Sequence, residues 1–207
     1  MNKFTFKNIN ELWFKKTKSK WTVKRNRDLF KISKKIVGQD WNNYDLLSMG
    51  KPGVTIRDLD SGKGKFPASF EGYQVVEPND LIFCLYDIDE TPRTVGYSEL
   101  HGMITSSYTI VKCFKNTVPK FIYYIYMLID NAKGLKPYYT GLRNTIRPET
   151  FLNIEISVPD FEVQKKIVKK LDQQIINLEK IINLQKDKIE LMEKLKETSI
   201  YESLLNE

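Results

Sequence analysis

Apolar residues recur after Asp160 in steps of three and four: Val168, Leu171, Ile175, Leu178 and Ile182, then Ile189 and Met192. No Gly or Pro interrupts the chain from Asp160 through Glu207. This spacing predicts one long helix with a heptad seam, broken once by the polar Gln185 and continuing through Leu195 after a slip of phase. Roughly 45 helical residues would span about 65 Å at about 1.5 Å each, more than a small body buries along one helix. The narrow stripe and charged flanks therefore predict a coiled coil with a partner helix, the alternative being an amphipathic helix lying on its own domain. Its start is sharply marked, because Pro159 ends the strand-like run Ile154–Val158, Asp160 can cap, and Glu162 suits the first turn.

Before Pro159 the pattern changes. Tyr73 to Val76, Leu81 to Leu85 and Tyr108 to Cys113 are short β-rich runs, separated by turn signals such as Glu77-Pro78-Asn79-Asp80. Pro119 to Asp130 predicts one buried helix, with Pro119 at its first position and Gly134 beyond its end. The expectation is an α+β fold: one mixed, β-rich domain over residues 1–158, followed by a long C-terminal coiled-coil helix over residues 159–207. No repeat of fixed period and no low-complexity tract is present.

Composition narrows the class without changing this picture. The 207 residues are 41% hydrophobic and 29% charged, which argues for a folded chain. The longest mostly apolar run, Phe121 to Ile129, is too short for a spanning helix of about 20 residues, and the N-terminus lacks a signal peptide's apolar core. Cys84 and Cys113 lack metal or redox spacing and suit reduced core thiols in a cytoplasm. The net charge of +7 is uneven: residues 1–35 hold 12 basic and 2 acidic side chains, residues 36–160 hold 12 and 15, and residues 161–207 hold 9 and 9. An excess at the N-terminus suits a polyanionic partner, or simply a soluble basic arm.

Candidate chemistry is sparse. His101 is the only histidine, so histidine triads and histidine metal clusters drop out. Ser61-Gly62-Lys63-Gly64-Lys65 lacks phosphate-loop spacing and reads as a basic turn, and no dinucleotide fingerprint occurs. Asp87, Asp89 and Glu90 suit a solvated loop, and Pro159-Asp160 resembles a nuclease's first metal ligand without the later carboxylate and lysine. The expectation is a non-catalytic chain without a metal site, the rival being a compact nuclease acting through Asp87 or Asp160. Recognition remains. Lys24, Arg25, Arg27, Lys34 and Lys35, interleaved with the core-anchor candidates Trp13, Trp21 and Phe30, form a first basic region, to which Lys63, Lys65 and Arg93 add. Lys136, Tyr138, Tyr139, Thr140, Arg143, Asn144 and Arg147 form a second cluster, mixing cations with amide, hydroxyl and aromatic groups as backbone and base-edge contacts require.

The order of three segments adds a resemblance. Tyr139-Thr140-Gly141-Leu142-Arg143-Asn144-Thr145-Ile146, then Phe151 through Pro159, then Gln164-Lys165-Lys166-Ile167, resembles the specificity subunit of type I restriction-modification systems. There a small-residue loop leads to an Ile-x-(Ile/Val)-Pro strand and a helix opening on a Glu-Gln-Lys-like signature, with Val163 here in the place of Glu. Trp21 with Asp28-Leu29-Phe30 is similar to the family's domain opening, and Val76 to Ile82 is similar to its Val-x-x-Gly-Asp-Ile strand, with Asn79 replacing Gly. The resemblance implies a target-recognition domain and helix in half-subunit form, reading one half of a bipartite double-stranded DNA target. It also implies pairing with a second copy or another half-subunit through Val168, Leu171, Ile175, Leu178, Ile182, Gln185, Ile189 and Met192. Further implied partners are modification methyltransferase subunits, which would hold S-adenosylmethionine, and a restriction motor nuclease subunit; the chain itself would bind no cofactor. A coiled-coil assembly protein with a basic protein-docking arm, and a silent recombination cassette of the same family, are the alternatives.

Overall fold

A computed structural model describes residues 21–57 and 69–205. Trp13, Lys63 and Lys65 lie outside the described residues. The chain divides into two compact units, residues 1–165 and 166–207.

The first unit is α+β. Strand β1 (Thr22–Arg25) is followed by the single turn α1 (Asn26–Leu29) and by β2 (Phe30–Ser33). The strands β3 (Leu47–Gly50), β4 (Gly53–Ile56), β5 (Gln74–Val76), β6 (Leu81–Phe83), β7 (Val95–Tyr97), β8 (Gly102–Ile104) and β9 (Thr109–Cys113) come next. Helix α2 (Pro119–Asn131), the short helix α3 (Pro148–Asn153) and β10 (Glu155–Val158) complete it. Four strands form an antiparallel sheet in the order β2-β9-β6-β7, and three pairs, β1 with β10, β3 with β4 and β5 with β8, stand beside it. The β-rich runs expected at residues 73–76, 81–85 and 108–113 are thus strands β5, β6 and β9.

Apolar alternation and turn chemistry explain the local choices. The turn between β5 and β6 needs a left-handed residue, and Asn79 supplies it at φ +72°; asparagine tolerates that conformation next best after glycine, which accounts for its standing in glycine's place. The Asp80 carboxylate closes the turn by accepting the Glu77 N–H at 2.9 Å. Helix α2 begins at Pro119 as expected. Its left-handed exit residue is Lys133 (φ +54°), not Gly134, whose N–H reaches back to the Ile129 carbonyl at 2.8 Å. A close approach fixes Gly96 of β7: a Cβ there would stand 2.8 Å from the side chains of Met49 and Val54, so the β3–β4 hairpin lies directly on it.

The core centres on four fully buried aromatics, Phe30, Phe83, Tyr126 and Phe151. Phe83 meets Tyr126 and Phe151 at ring separations of 4.8 and 4.7 Å, and Phe151 also meets Phe30 at 5.7 Å. This cluster joins β2, β6, α2 and α3. Buried Asn26 ties it to the start of the unit, its side-chain amide donating to the Tyr126 hydroxyl and the Phe151 carbonyl. Cys84 and Cys113 are free and half-buried, and burial raises both thiols, Cys113 to about 12.

The long helix α4 (Phe161–Leu205) is present as the spacing predicts. The compact first unit runs past the Pro159 boundary to Lys165, because Gln164 is buried: its carbonyl oxygen accepts the Val118 N–H and its amide donates to the Pro159 carbonyl, each at 2.9 Å. From Gln173 to the end of the described helix every residue is exposed. No helix among the described residues is long and apolar enough to cross a membrane.

Candidate nucleic-acid interface

The positive side chains of the first unit sort by whether a neighbour already engages them. Arg25 on β1 pairs with Glu155 of β10 at 3.4 Å, and Arg27 donates to the Asn153 side chain. Lys35 lies 3.2 Å from Glu77, whose other oxygen is held by Lys112. The hydrogen bonds of Lys112 and Lys35 hold the Glu77 carboxyl below its ordinary value, whereas burial pushes Asp80, 3.8 Å from Lys112, above its own. Arg93 donates to Asn131 at 2.9 Å and lies 3.9 Å from the buried Asp130, whose carboxylate also accepts the Thr94 N–H and hydroxyl. Lys136 pairs with Asp89 at 3.6 Å. These five candidates are tied to carboxylates or amides of the fold itself.

Among the described residues no carboxylate pairs with Lys24, Lys34, Arg143 or Arg147. All four are exposed. Lys34, just after β2, and Arg147, at the start of α3, line one open groove of about 850 Å³ although they are far apart in sequence. Gln74, Ser106 and Thr109, with amide and hydroxyl groups, Ile32, Tyr108 and Leu152, and the acidic Glu149 also line it. Cations lining such a groove can neutralise phosphates while its hydroxyl groups remain for base or sugar contacts.

The second cluster is a small hairpin. Thr140 and Thr145 exchange backbone hydrogen bonds at 2.9 and 3.1 Å, and the Thr140 hydroxyl donates to the Thr145 carbonyl at 2.9 Å. Gly141 (φ +71°) and Asn144 (φ +44°) turn the four-residue tip. Two further bonds fasten it to the segment after β6: the Ile146 N–H to the Leu85 carbonyl at 2.9 Å, and the Asp87 N–H to the Arg143 carbonyl at 3.0 Å. The Arg143 guanidinium lies over the Tyr86 ring at 5.1 Å. At the base of the hairpin the Tyr139 hydroxyl donates to Asp89 at 3.5 Å, and burial, then Asp89, pushes its pKa up; half-buried Tyr138 is raised by burial too.

The structure therefore brings Lys34 and Arg147 together at the groove, sets Arg143 and Asn144 on the tip, and places Arg25, Arg27, Lys35, Arg93 and Lys136 in internal pairs. Sequence reasoning missed Tyr86, Gln74 and Lys112, and no local motif marks them, since each acts through a partner distant in the chain. Asp87, Asp89 and Glu90 form part of no metal-holding group: among the described residues no cluster of three or more His, Cys, Asp or Glu is suited to an ion.

Along α4, Val168 and Leu171 are half-buried, while Ile175, Leu178, Ile182, Gln185, Ile189 and Met192 are exposed. The exposed apolar set is broader than the expected narrow stripe. With Val168 at heptad position a, Ile181 and Leu195 fall at g, beside position d, and Leu184 and Leu191 fall at c, beside g, so the exposed apolar arc runs from a through d and g to c. An apolar arc of this width has room for more than one partner helix.

The sequence matches, over residues 18–191, the family described as the type I restriction modification DNA specificity domain. No curated protein matches it. Among solved structures it resembles the type I restriction-modification system S subunit from M. genitalium (15% identity, 81% of this chain and 43% of that one, TM-score 0.52). It also resembles a chain from a study of complex assembly and conformational transition of the type I R-M system (16% identity, 78% and 40%, TM-score 0.52). At such identities the likeness is one of fold, and the chain spans about two fifths of the length of those structures.

Proposed function

The chain belongs to the family of type I restriction modification DNA specificity domains, and from that premise we propose that its first unit reads one half of a bipartite double-stranded DNA target. In that role it selects where a modification complex acts rather than performing chemistry. The observation that carries the reading is where three of the four candidate cations without a carboxylate partner stand: Lys34 and Arg147 at one groove and Arg143 on one fastened tip. Phosphates would take the groove cations, which fix register, and base edges would meet the polar side chains of the groove and the tip.

The exposed arc of α4 supports pairing with a second copy or another half-subunit, which would set the spacer between two recognition units. Its extra width favours additional helices from modification methyltransferase subunits; these would hold S-adenosylmethionine, and a motor nuclease subunit would join for restriction. The deciding experiment maps adenine methylation across the host genome with and without the gene. Loss of one bipartite motif supports the proposal, identical inverted halves indicating a homodimer and unlike halves a mixed pair. If no motif is lost and the pure chain fails to bind random duplex even at low salt, the coiled-coil assembly reading stands instead. Replacing Lys34 or Arg147 by Ala should lower the salt slope of binding by roughly one unit each and weaken all sequences alike.

A further inference from the structure

Arg143 differs from the other unpaired cations in being held in one orientation. Its carbonyl accepts the Asp87 N–H at 3.0 Å, the Thr145 hydroxyl donates to that same carbonyl at 3.3 Å, and its guanidinium lies over the Tyr86 ring. The ring holds the guanidinium without a hydrogen bond, and among the described residues no hydrogen bond or ion pair takes up its N–H donors, whereas a cation used only against phosphate needs no such fixing. The tip is also unobstructed. Leu142, beside Arg143, is 104% exposed, and Tyr86 itself is 38% exposed. A forked donor fixed in orientation on a protruding hairpin matches the two acceptors, O6 and N7, that guanine presents in the major groove.

We propose, resting on the reading of the first unit as a DNA-recognition domain, that Arg143 is a base-reading residue that selects a guanine in the target half-site, and that Tyr86 is the residue that positions it. The ring acts by restricting the guanidinium, so its removal should relax the same base position as removal of the fork. Lysine keeps the charge but not the two-pronged geometry, which separates base reading from simple phosphate neutralisation.

The test maps methylation in cells in which variants replace the wild-type gene. With Arg143→Lys, discrimination at one guanine of the motif should fall by roughly tenfold or more while the other positions keep theirs. Tyr86→Leu should relax that same position, and Tyr86→Phe, which retains the ring, should not. Both side chains are exposed, so thermal melts of the variants should overlay the wild type. A uniform fall in methylation without loss of base preference would assign Arg143 to a phosphate and overturn the proposal, as would an unchanged motif or relaxation by Tyr86→Phe. A wild-type chain that directs no motif fails earlier, at the specificity reading itself, and takes this proposal with it.

Discussion

The two units treat apolar side chains in opposite ways. In the first, Phe30, Phe83, Tyr126 and Phe151 are at most 1% exposed and bury one another. In the second, Leu178, Ile182, Ile189 and Met192 are 52–59% exposed on a single helix. One unit carries its own core, whereas the other leaves its apolar side chains exposed, and an isolated helix in water gains little from propensity alone. The chain thus joins a unit with its own aromatic core to a helix whose apolar side chains stay exposed.

That contrast can be broken from either side. Ile175→Asp with Leu178→Asp would place two carboxylates in the proposed seam, each uncompensated buried charge costing about 3–5 kcal/mol. Light scattering should then report monomers, with the melt of the first unit unchanged; an unaltered mass would place the helix partner elsewhere. Phe151→Ala acts on the other unit. It removes the ring that meets all three other aromatics, so a loss of about 3–5 kcal/mol is expected. Urea melts followed by aromatic fluorescence would show it, while association through α4 should persist.

The same contrast decides what the sequence shows. Helix α4 was legible because its pattern is local and uninterrupted, and β5, β6 and β9 because β-branched runs stand between turn residues. Strands β1 and β2 were not. All four residues of β1 are exposed, so no alternation marks it, and its partner β10 lies far along the chain, the Thr22 hydroxyl bonding to Val158 136 positions away. Base-contact candidates were legible only as a list of cations. Which of them the fold consumes depends on pairs such as Arg93 with Asp130 and Lys136 with Asp89, which no spacing rule reveals. The Gln-Lys signature at the start of α4 gains a physical reason from the structure, since Gln164 is the buried anchor of the first helical turn.

Gln164 also sharpens the boundary between the units. Gln164→Ala would leave the Val118 N–H without its acceptor and the Pro159 carbonyl without its donor. A destabilisation of about 1–3 kcal/mol is expected, read as a lower urea midpoint. Hydrogen exchange should quicken at Val118 and in the first turn of α4, and stay unchanged beyond Gln173. Equal quickening along the whole helix would mean that this turn belongs energetically to the second unit.

The smallest expected effect separates the units by pH. The network of Lys112, Glu77 and Asp80 lies wholly within the first. Lys112 and Lys35 lower the Glu77 carboxyl, so its contribution to stability is present above its unfolded value and fades as pH falls through the folded one. Asp80 has the opposite sign. Burial raises it, so protonation favours the folded state, and the stability it contributes is full below its unfolded value and lost as pH rises through the folded one. Lys112→Met deprives Glu77 of its foremost hydrogen-bond partner and Asp80 of a cation 3.8 Å away. Both losses weigh on the ionised carboxylates, so the variant should melt below the wild type near neutral pH, and the gap should narrow on acidification through the ordinary carboxylate range. Urea titrations of both chains across that range would check this. A gap that stayed constant with pH would mean that Lys112 contributes through its packed methylenes rather than its charge.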